Sequence, residues 1–386
     1  MLTTLAVAHY RSLHELIVPM ARLNLVTGAN GSGKSNLYRA LRLLAETAQG
    51  GVVPALAREG GLGSTLWAGP ERLSPRMQRG EVPVRGGPRQ QAVSLRLGFA
   101  GEEFGYAIDL GLPTPSQSAF ALDPEIKREV IWSGPFLRAS NLLVDRRGAM
   151  ARARDGRGWR VVAEHLNAYE SLYTQIADPV GAPEVLSLRE TIRGWRFYDH
   201  FRADGESPAR QPQLGTRTPV LSHDGRDLAA AWQTIVEIGD RGALDAAVAD
   251  AFPGARVNVV ADGGRFGLEF SQHGLLRPLS AAELSDGTLR YLLWIAALHT
   301  PRPPPLMVLN EPETSLHPDL LPALARLIAH AARRTQIWVV SHATRLIAAL
   351  EQEPGCNTLR LEKAMSRTTL QGQGLLDAPA WHWPER

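Results

Sequence analysis

Cysteine is almost missing from this chain: its 386 residues include one, Cys356. A single thiol excludes an internal disulfide and a cysteine-rich zinc site. Long apolar runs are missing too. The longest, such as Tyr291–Leu298 and Leu306–Leu309, stop well short of the ~20 residues that a membrane-spanning helix needs. The start, Met1-Leu2-Thr3-Thr4-Leu5, has neither a basic stretch nor a small-residue cleavage site, so no secretory signal is expected. The expectation is a cytoplasmic protein with no membrane partner. No repeat, low-complexity tract or sustained heptad pattern occurs, so there is no basis for a long coiled coil. Charge of one sign is also scarce, with a formal net charge of only +3. A dedicated nucleic-acid binder concentrates basic residues on one face. Here the densest groups are Arg146-Arg147 with Arg152 and Arg154, and the scattered Arg193, Arg196, Arg202, Arg210 and Arg217. So mild an excess permits a nucleic-acid partner without demanding one, and its simplest reading is a solvated surface.

Hydrophobic residues make up 44% of the chain, ample for a core, and the length suggests about two domains. Thr4–Ala8, Glu15–Val18 and Leu23–Thr27 read as short strands. The last runs directly into Gly28-Ala29-Asn30-Gly31-Ser32-Gly33-Lys34-Ser35, and Asn36–Ala45 follows with helical apolar spacing. Residues 49–90, rich in Gly, Pro and Arg, read as loops with one short helix. Ala92–Phe99 and Phe104–Leu110 alternate like an antiparallel pair. A long middle section contains a strand at Glu129–Trp132, helical patterns at 183–195 and 226–238, and a polar loop at 202–219. It ends with strands Arg256–Val260 and Arg265–Phe270 around a turn containing Asp262-Gly263-Gly264. The predicted division is a discontinuous domain, residues 1–111 and 276–386, with 112–275 inserted as a middle or lid region.

Four short segments carry chemistry. The glycine-rich loop stands between an apolar strand and an amphipathic helix, the order a phosphate-binding loop requires. Successive backbone N–H groups converge there on phosphate oxygens, and glycine tolerates the turns and close approach involved. The helix start adds its positive dipole end. Lys34 would reach the β- and γ-phosphates of ATP, and the Ser35 hydroxyl would ligate Mg2+. Gly61-Leu62-Gly63 lacks a preceding strand and a third glycine, so it is no dinucleotide fingerprint. The second segment, Leu306–Glu313, is an apolar run ending in polar residues. It suits a buried parallel strand that delivers Glu311 to a ligand crevice, and taken alone suits a solvated acidic turn equally well. The third, Glu283-Leu284-Ser285-Asp286-Gly287-Thr288, puts Ser285 and the next N–H groups at a helix start, which favours an anion. Ser-Asp-Gly is also an ordinary turn and cap. The fourth is Ile337–His342, another apolar strand, ending in a histidine of a kind that is more often structural.

In this order the four segments give the arrangement of ABC-type ATPases. The chain resembles that superfamily in the branch of RecF, SMC-like and OLD-like proteins, and within it the standalone predicted AAA-family ATPases. Tyr10–Leu13, Gly28–Asn36, Leu284–Leu292 and Glu311–Pro318 carry the resemblance at the two ends of the chain, with looser likeness at Gly194–Tyr198 and Asp224–Leu228. It implies an α/β P-loop NTPase fold of ABC-ATPase type, a mixed sheet with an antiparallel β-subdomain. It further implies that Gly28, Asn30, Gly31, Ser32, Gly33, Lys34, Ser35 and Asn36 bind nucleotide, that Lys34, Glu311 and His342 are catalytic, and that Ser35 and Asn310 serve Mg2+. Two copies would sandwich ATP head to tail, with Ser285, Asp286 and Gly287 of one protomer facing the P-loop of its partner. Ser315-Leu316-His317 would line that interface, and His342 would sense the γ-phosphate. The family pattern has Asp where this chain has Asn310. A neutral amide can orient a metal-bound water but supplies no charge to a hard cation, so weak magnesium dependence or slow turnover is expected. Gln90 and Gln91 are candidates for the glutamine that follows the P-loop in such ATPases, and read equally as loop residues. Arg11 and Arg39 are equally open between nucleotide and surface.

Two jobs remain for such an engine. One is an ATPase that gates engagement with DNA or RNA. The other is a nucleotide-switched scaffold that recruits an effector protein, such as a nuclease or toxin in genome defence. A P-loop kinase does not account for Leu284–Gly287 and His342. The residues after His342 are too few for a nuclease domain, and Trp381-His382-Trp383 reads as a tail that packs on the domain.

Overall fold

The computed structural model describes residues 1–386 apart from 72–73, 80, 84–91, 116 and 375–376. The chain opens with β1 (Leu2–Tyr10), β2 (Leu13–Pro19) and β3 (Leu23–Gly28), then α1 (Lys34–Thr47), α2 (Val52–Arg58), α3 (Gly61–Thr65) and α4 (Pro75–Gln78). Next come β4 (Leu95–Gly101), β5 (Phe104–Gly111), β6 (Glu125–Ser133), β7 (Leu142–Arg147), β8 (Met150–Asp155) and β9 (Gly158–Ala163), followed by α5 (Leu172–Gln175) and α6 (Pro183–Arg193). The chain continues through β10 (Arg196–Tyr198), β11 (Gln213–Leu214), α7 (Leu228–Ile238), α8 (Arg241–Ala251), β12 (Arg256–Asp262), β13 (Arg265–Ser271) and β14 (Leu279–Ser280). It closes with α9 (Asp286–Leu298), β15 (Leu306–Asn310), α10 (Leu321–Ala332), β16 (Gln336–Val340), α11 (Thr344–Glu351), β17 (Cys356–Ala364) and β18 (Arg367–Leu370). Among the described residues no helix is long and apolar enough to cross a membrane.

By internal contacts the chain forms two units. The first comprises Met1–Met20, Gly28–Gly194 and Leu359–Arg386, and the second Ala21–Thr27 and Trp195–Thr358. The 112–275 segment is thus shared: residues up to Gly194 extend the first unit and those from Trp195 the second.

In the first unit, eight of the described strands form an antiparallel sheet in the order β2-β1-β4-β5-β6-β7-β8-β9. Leu37, Leu41 and Leu44 recur at helical spacing on α1 and are buried, each burial contributing roughly 2 kcal/mol. Residues 49–90 hold three short helices among the described residues rather than the one expected. Apolar residues such as Val52, Leu56 and Leu62 are buried there, too far apart among glycines to announce a helix. Gln90 and Gln91 lie outside the described residues. Strands β7–β9 escaped the periodicity because arginines stand at many of their positions.

The basic run is the clearest correction. Arg146 is not solvated but fully buried, in an ion pair with Glu129 at 2.8 Å. Glu129 also accepts from Tyr106, Ser171 and the Leu172 N–H, and Arg146 donates to the carbonyls of Gly148, Asn167 and Glu170. Glu129 thus accepts four hydrogen bonds and Arg146 donates four, the kind of satisfaction under which a buried charge pair persists. Arg152 pairs with Asp145 and lies over the Trp159 ring. These arginines hold the far end of the sheet together. At the other terminus Trp381 meets Trp132 edge to face, so the tail packs as expected.

The second unit is built on parallel strands in the order β10-β15-β16-β3. Both faces are covered, which is why Leu306–Leu309 and Ile337–Val340 read as unbroken apolar runs; all eight residues are buried. Their core takes in α9, α10 and α7, with Trp294, Tyr198 and Phe201 clustered edge to face. A small antiparallel sheet, β11-β13-β12 with β14 beside β13, completes the unit.

Candidate functional site

The phosphate-loop residues lie together in the first unit. Gly31 and Gly33 adopt φ of 79° and 110°, a region open to glycine and strained for other residues. At Gly33 a Cβ would also stand 2.1 Å from the Thr368 hydroxyl oxygen. Thr368 belongs to a relay that sequence reasoning missed. The Asn36 amide donates to Ser12 at 2.8 Å, Ser12 meets Thr368 at 2.7 Å, and Thr368 donates to the Ser32 carbonyl at 2.8 Å. Asn36, expected at the nucleotide, therefore has its side chain engaged in bracing the loop. Lys34 arches back and donates to the carbonyls of Gly28 and Ala29 at 2.6 and 3.1 Å. Arg11 is held by Glu59 at 2.9 Å.

Helix α1 starts without a side-chain cap and with no acid in its first turn. Leu37 N–H is the first to find a helical acceptor, Gly33 O. Among the described residues the N–H groups of Lys34, Ser35 and Asn36 have none, and the Ser32 hydroxyl is buried without a partner. Unmet donors, a dipole end and an ammonium converge where Ser35 stands exposed. These groups fit a phosphate chain such as that of ATP.

In the second unit β15 and β16 end side by side, Asn310 opposite Val340. Glu311 follows with φ 50°, uncommon for a residue with a side chain and often a mark of function. Its N–H is tied to Val340 O at 2.8 Å. The turn brings the Glu311 carboxylate 3.5 Å from His342 Nδ1, so these two expected residues meet. Glu313, which sequence reasoning passed over, is only 7% exposed. Its Oε1 accepts from the Ser341 hydroxyl and the N–H groups of His342 and Ala343 at 2.7, 3.0 and 3.2 Å. A buried carboxylate thus pins the turn that presents His342. Its signal was the second glutamate of Glu311-Pro312-Glu313, which pattern alone does not separate from the first.

Ser285 caps α9, accepting from Thr288 N–H at 3.2 Å. The N–H groups of Asp286 and Gly287 have no acceptor among the described residues. Arg210, expected on a solvated surface, is 7% exposed and cradles this segment. It donates to the carbonyls of Ala203, Ala281 and Leu284 and to the Asp286 carboxylate. Arg290 donates to Thr314 O at 2.9 Å, joining α9 to the turn after Glu311. The Ser315 carbonyl lies 3.2 Å from where a Gly287 Cβ would stand, so this turn and the Ser285 segment are neighbours within one chain.

Residues 23–348 match the family described as AAA domain, putative AbiEii toxin, Type IV TA system. Among solved structures, an SMC head bound to the C-winged helix domain of ScpA aligns with TM-score 0.52 at 12% identity, over 98% of this chain and 99% of that one. The SMC head domain from Thermotoga maritima aligns with TM-score 0.49 at 12% identity, over 97% and 99%. At such identity the likeness concerns the fold. No curated protein matches the chain in sequence. A glycine loop with unmet donors, a strand-end glutamate beside a histidine, and a family match over most of the sequence lead to one conclusion: the chain belongs to this AAA-domain family of P-loop ATPases.

Proposed function

We propose that the chain hydrolyses ATP with Mg2+ as a head-to-tail homodimer in the cytoplasm, coupled to DNA-related processing or genome defence. The observation that carries this is the set of unmet donors at the start of α1, Lys34 to Asn36. Gly28, Asn30, Gly31, Ser32, Gly33 and Lys34 would cradle the phosphates, with the N–H groups of Ser35 and Asn36. ATP supplies a phosphoanhydride whose cleavage is governed by positioning and charge stabilisation. Ser35 and Asn310 would hold Mg2+. Glu311 would orient the attacking water and take its proton, and His342, 3.5 Å from it, would donate toward the γ-phosphate. Ser285 and the unmet N–H groups of Asp286 and Gly287 would form a second anion site, where the one adjoining cation, Arg210, is already engaged by Asp286 and backbone carbonyls. It suits the γ-phosphate held by a partner's Lys34, which is the reason for proposing two copies.

Asn310 favours a second function, a nucleotide-switched scaffold that turns over slowly and recruits an effector. The family's description as a putative toxin of a Type IV system and the SMC head bound to a ScpA domain are consistent with a protein partner.

Size-exclusion chromatography with light scattering, on wild type and Glu311→Gln, with and without ATP and DNA, tests the proposal. ATP should convert monomer to dimer, most completely for Glu311→Gln, which should hydrolyse ATP at least roughly 100-fold more slowly. A monomer under all conditions would overturn the sandwich. Wild-type hydrolysis no faster than Glu311→Gln, with the dimer intact, would leave the scaffold.

A further inference from the structure

The small sheet of the second unit ends in an uncovered edge. Hairpin β12–β13 turns on Gly263 and Gly264, with φ 53° and 78°, the two-residue turn that makes Asp262 and Arg265 a doubly hydrogen-bonded pair. Counting back by twos, Val260, Asn258 and Arg256 also exchange bonds with β13. The N–H and C=O groups of Val257, Val259 and Ala261 therefore point away from the hairpin. Nothing among the described residues meets them, because β12 ends the order β11-β13-β12. Sheets usually blunt such an edge with lysine, proline, a bulge or a cover. Strand β12 has neither lysine nor proline, and its register runs unbroken from Arg256 to Asp262.

A cavity of about 720 Å³ runs along this edge. Its wall takes consecutive residues from Gly254 to Val259, hence both faces of the strand, which only an edge presents together. The other wall comes from α7, through Trp232, Gln233 and Val236, and from α8, through Arg241, Asp245 and Val248, the last three spaced by four and three as neighbours on a helix. Val248 and Val257 are buried, and so is Trp232, whose indole N–H has no partner among the described residues. Arg241 is paired with Asp245, whereas Arg256 has no carboxylate partner among the described residues.

We propose that the β12 edge and the cavity beside it bind an extended acidic peptide of a partner protein, which adds to the sheet as a further strand. Its backbone would pair with Val257, Val259 and Ala261, an apolar side chain would cover the half-buried Val236 and Val259, and a carboxylate would meet Arg256. Strand addition draws affinity from the backbone and selectivity from alternate side chains. The site shares no residue with those assigned to the nucleotide and does not depend on the ATPase proposal.

Fluorescence anisotropy on the full chain tests this, with a fluorescein-labelled peptide of alternating threonine and valine ending in glutamate. Saturable binding is expected below about 1 mM. N-methylation of alternate peptide amides should weaken it roughly tenfold, as should Val259→Pro, which removes an outward donor and leaves the bonds to β13. Arg256→Glu should shift preference to the same peptide ending in arginine. Equal binding of the N-methylated peptide, or no saturation, would overturn the proposal. So would a dimer of the chain that Val259→Pro dissolves while no peptide binds, since the occupant would then be a second copy. The N-methylated comparison needs no variant, so it stands if Val259→Pro fails to fold.

Discussion

Two helix starts in this chain are candidate anion sites, and they are built differently. Helix α1 begins on glycine, without a side-chain cap and without an acid, and the donors of Lys34, Ser35 and Asn36 are unmet among the described residues. Helix α9 begins on Ser285, which caps it, carries Asp286 in its first turn, and is braced by the buried Arg210. The first is incomplete without an external anion and has an ammonium to hold one. The second is a finished helix start with two N–H groups to spare and a carboxylate that repels anions. The contrast teaches that phosphate affinity should reside almost wholly at α1, while α9 can add to an anion already bound but hardly capture one.

The largest effect that could break this contrast is on nucleotide affinity. Lys34→Ala should weaken binding of a fluorescent ATP analogue by roughly 100-fold or more, since it removes a charge-assisted contact to phosphate. Ser285→Ala should change that affinity by less than about threefold while costing about 1 kcal/mol of stability as a lost cap. Comparable losses from both would show that the two starts share the binding.

Next in size is the brace. Arg210→Met leaves the carbonyls of Ala203, Ala281 and Leu284 without their donor in a buried setting and should cost roughly 3 kcal/mol in chemical denaturation. A cost below about 1 kcal/mol would mean that water takes over and that α9 does not rely on Arg210.

The smallest effect is at the other end of α9. Burial holds the His299 imidazole down to about 4 from its usual 6.5, with the His330 ring stacked on it at 5.5 Å. Between these values the unfolded chain binds a proton that the fold refuses. Stability from this group is complete above pH 6.5, falls as pH drops toward 4, and levels off below. Down to pH 5 the loss should be at most about 2 kcal/mol, and His299→Gln should flatten that part of the denaturation–pH curve. An unchanged slope in the variant would assign the acid sensitivity to other groups.

Much of the engine was legible in the sequence because its parts are contiguous. A phosphate loop needs glycines, a lysine and a hydroxyl within a few residues, between a strand and a helix, and chain order supplies all of that. Parallel strands covered on both faces leave unbroken apolar runs. What escaped depends on partners far apart in the chain. Thr368 donates to Ser32 across 336 positions, and Arg210 reaches Leu284 across 74. No local pattern marks such residues, so a buried arginine and a solvated one look alike. Strands β7–β9 were hidden for a related reason, since arginines satisfied by Asp145 and Glu129 stand where apolar alternation would be sought.

Sequence by itself marked a loop where phosphate is expected, and determined which strands lie at the centre of the parallel sheet and that Glu311 and His342 follow them. Only the tertiary structure decided how two glutamates two positions apart divide their work. Glu311 turns outward through a positive φ toward His342, and Glu313 turns inward to hold the segment that carries it. The reason is physical. Burial, and the hydrogen bonds that make it tolerable, are properties of what surrounds a residue in space, and a carboxylate acquires its role only when those neighbours arrive.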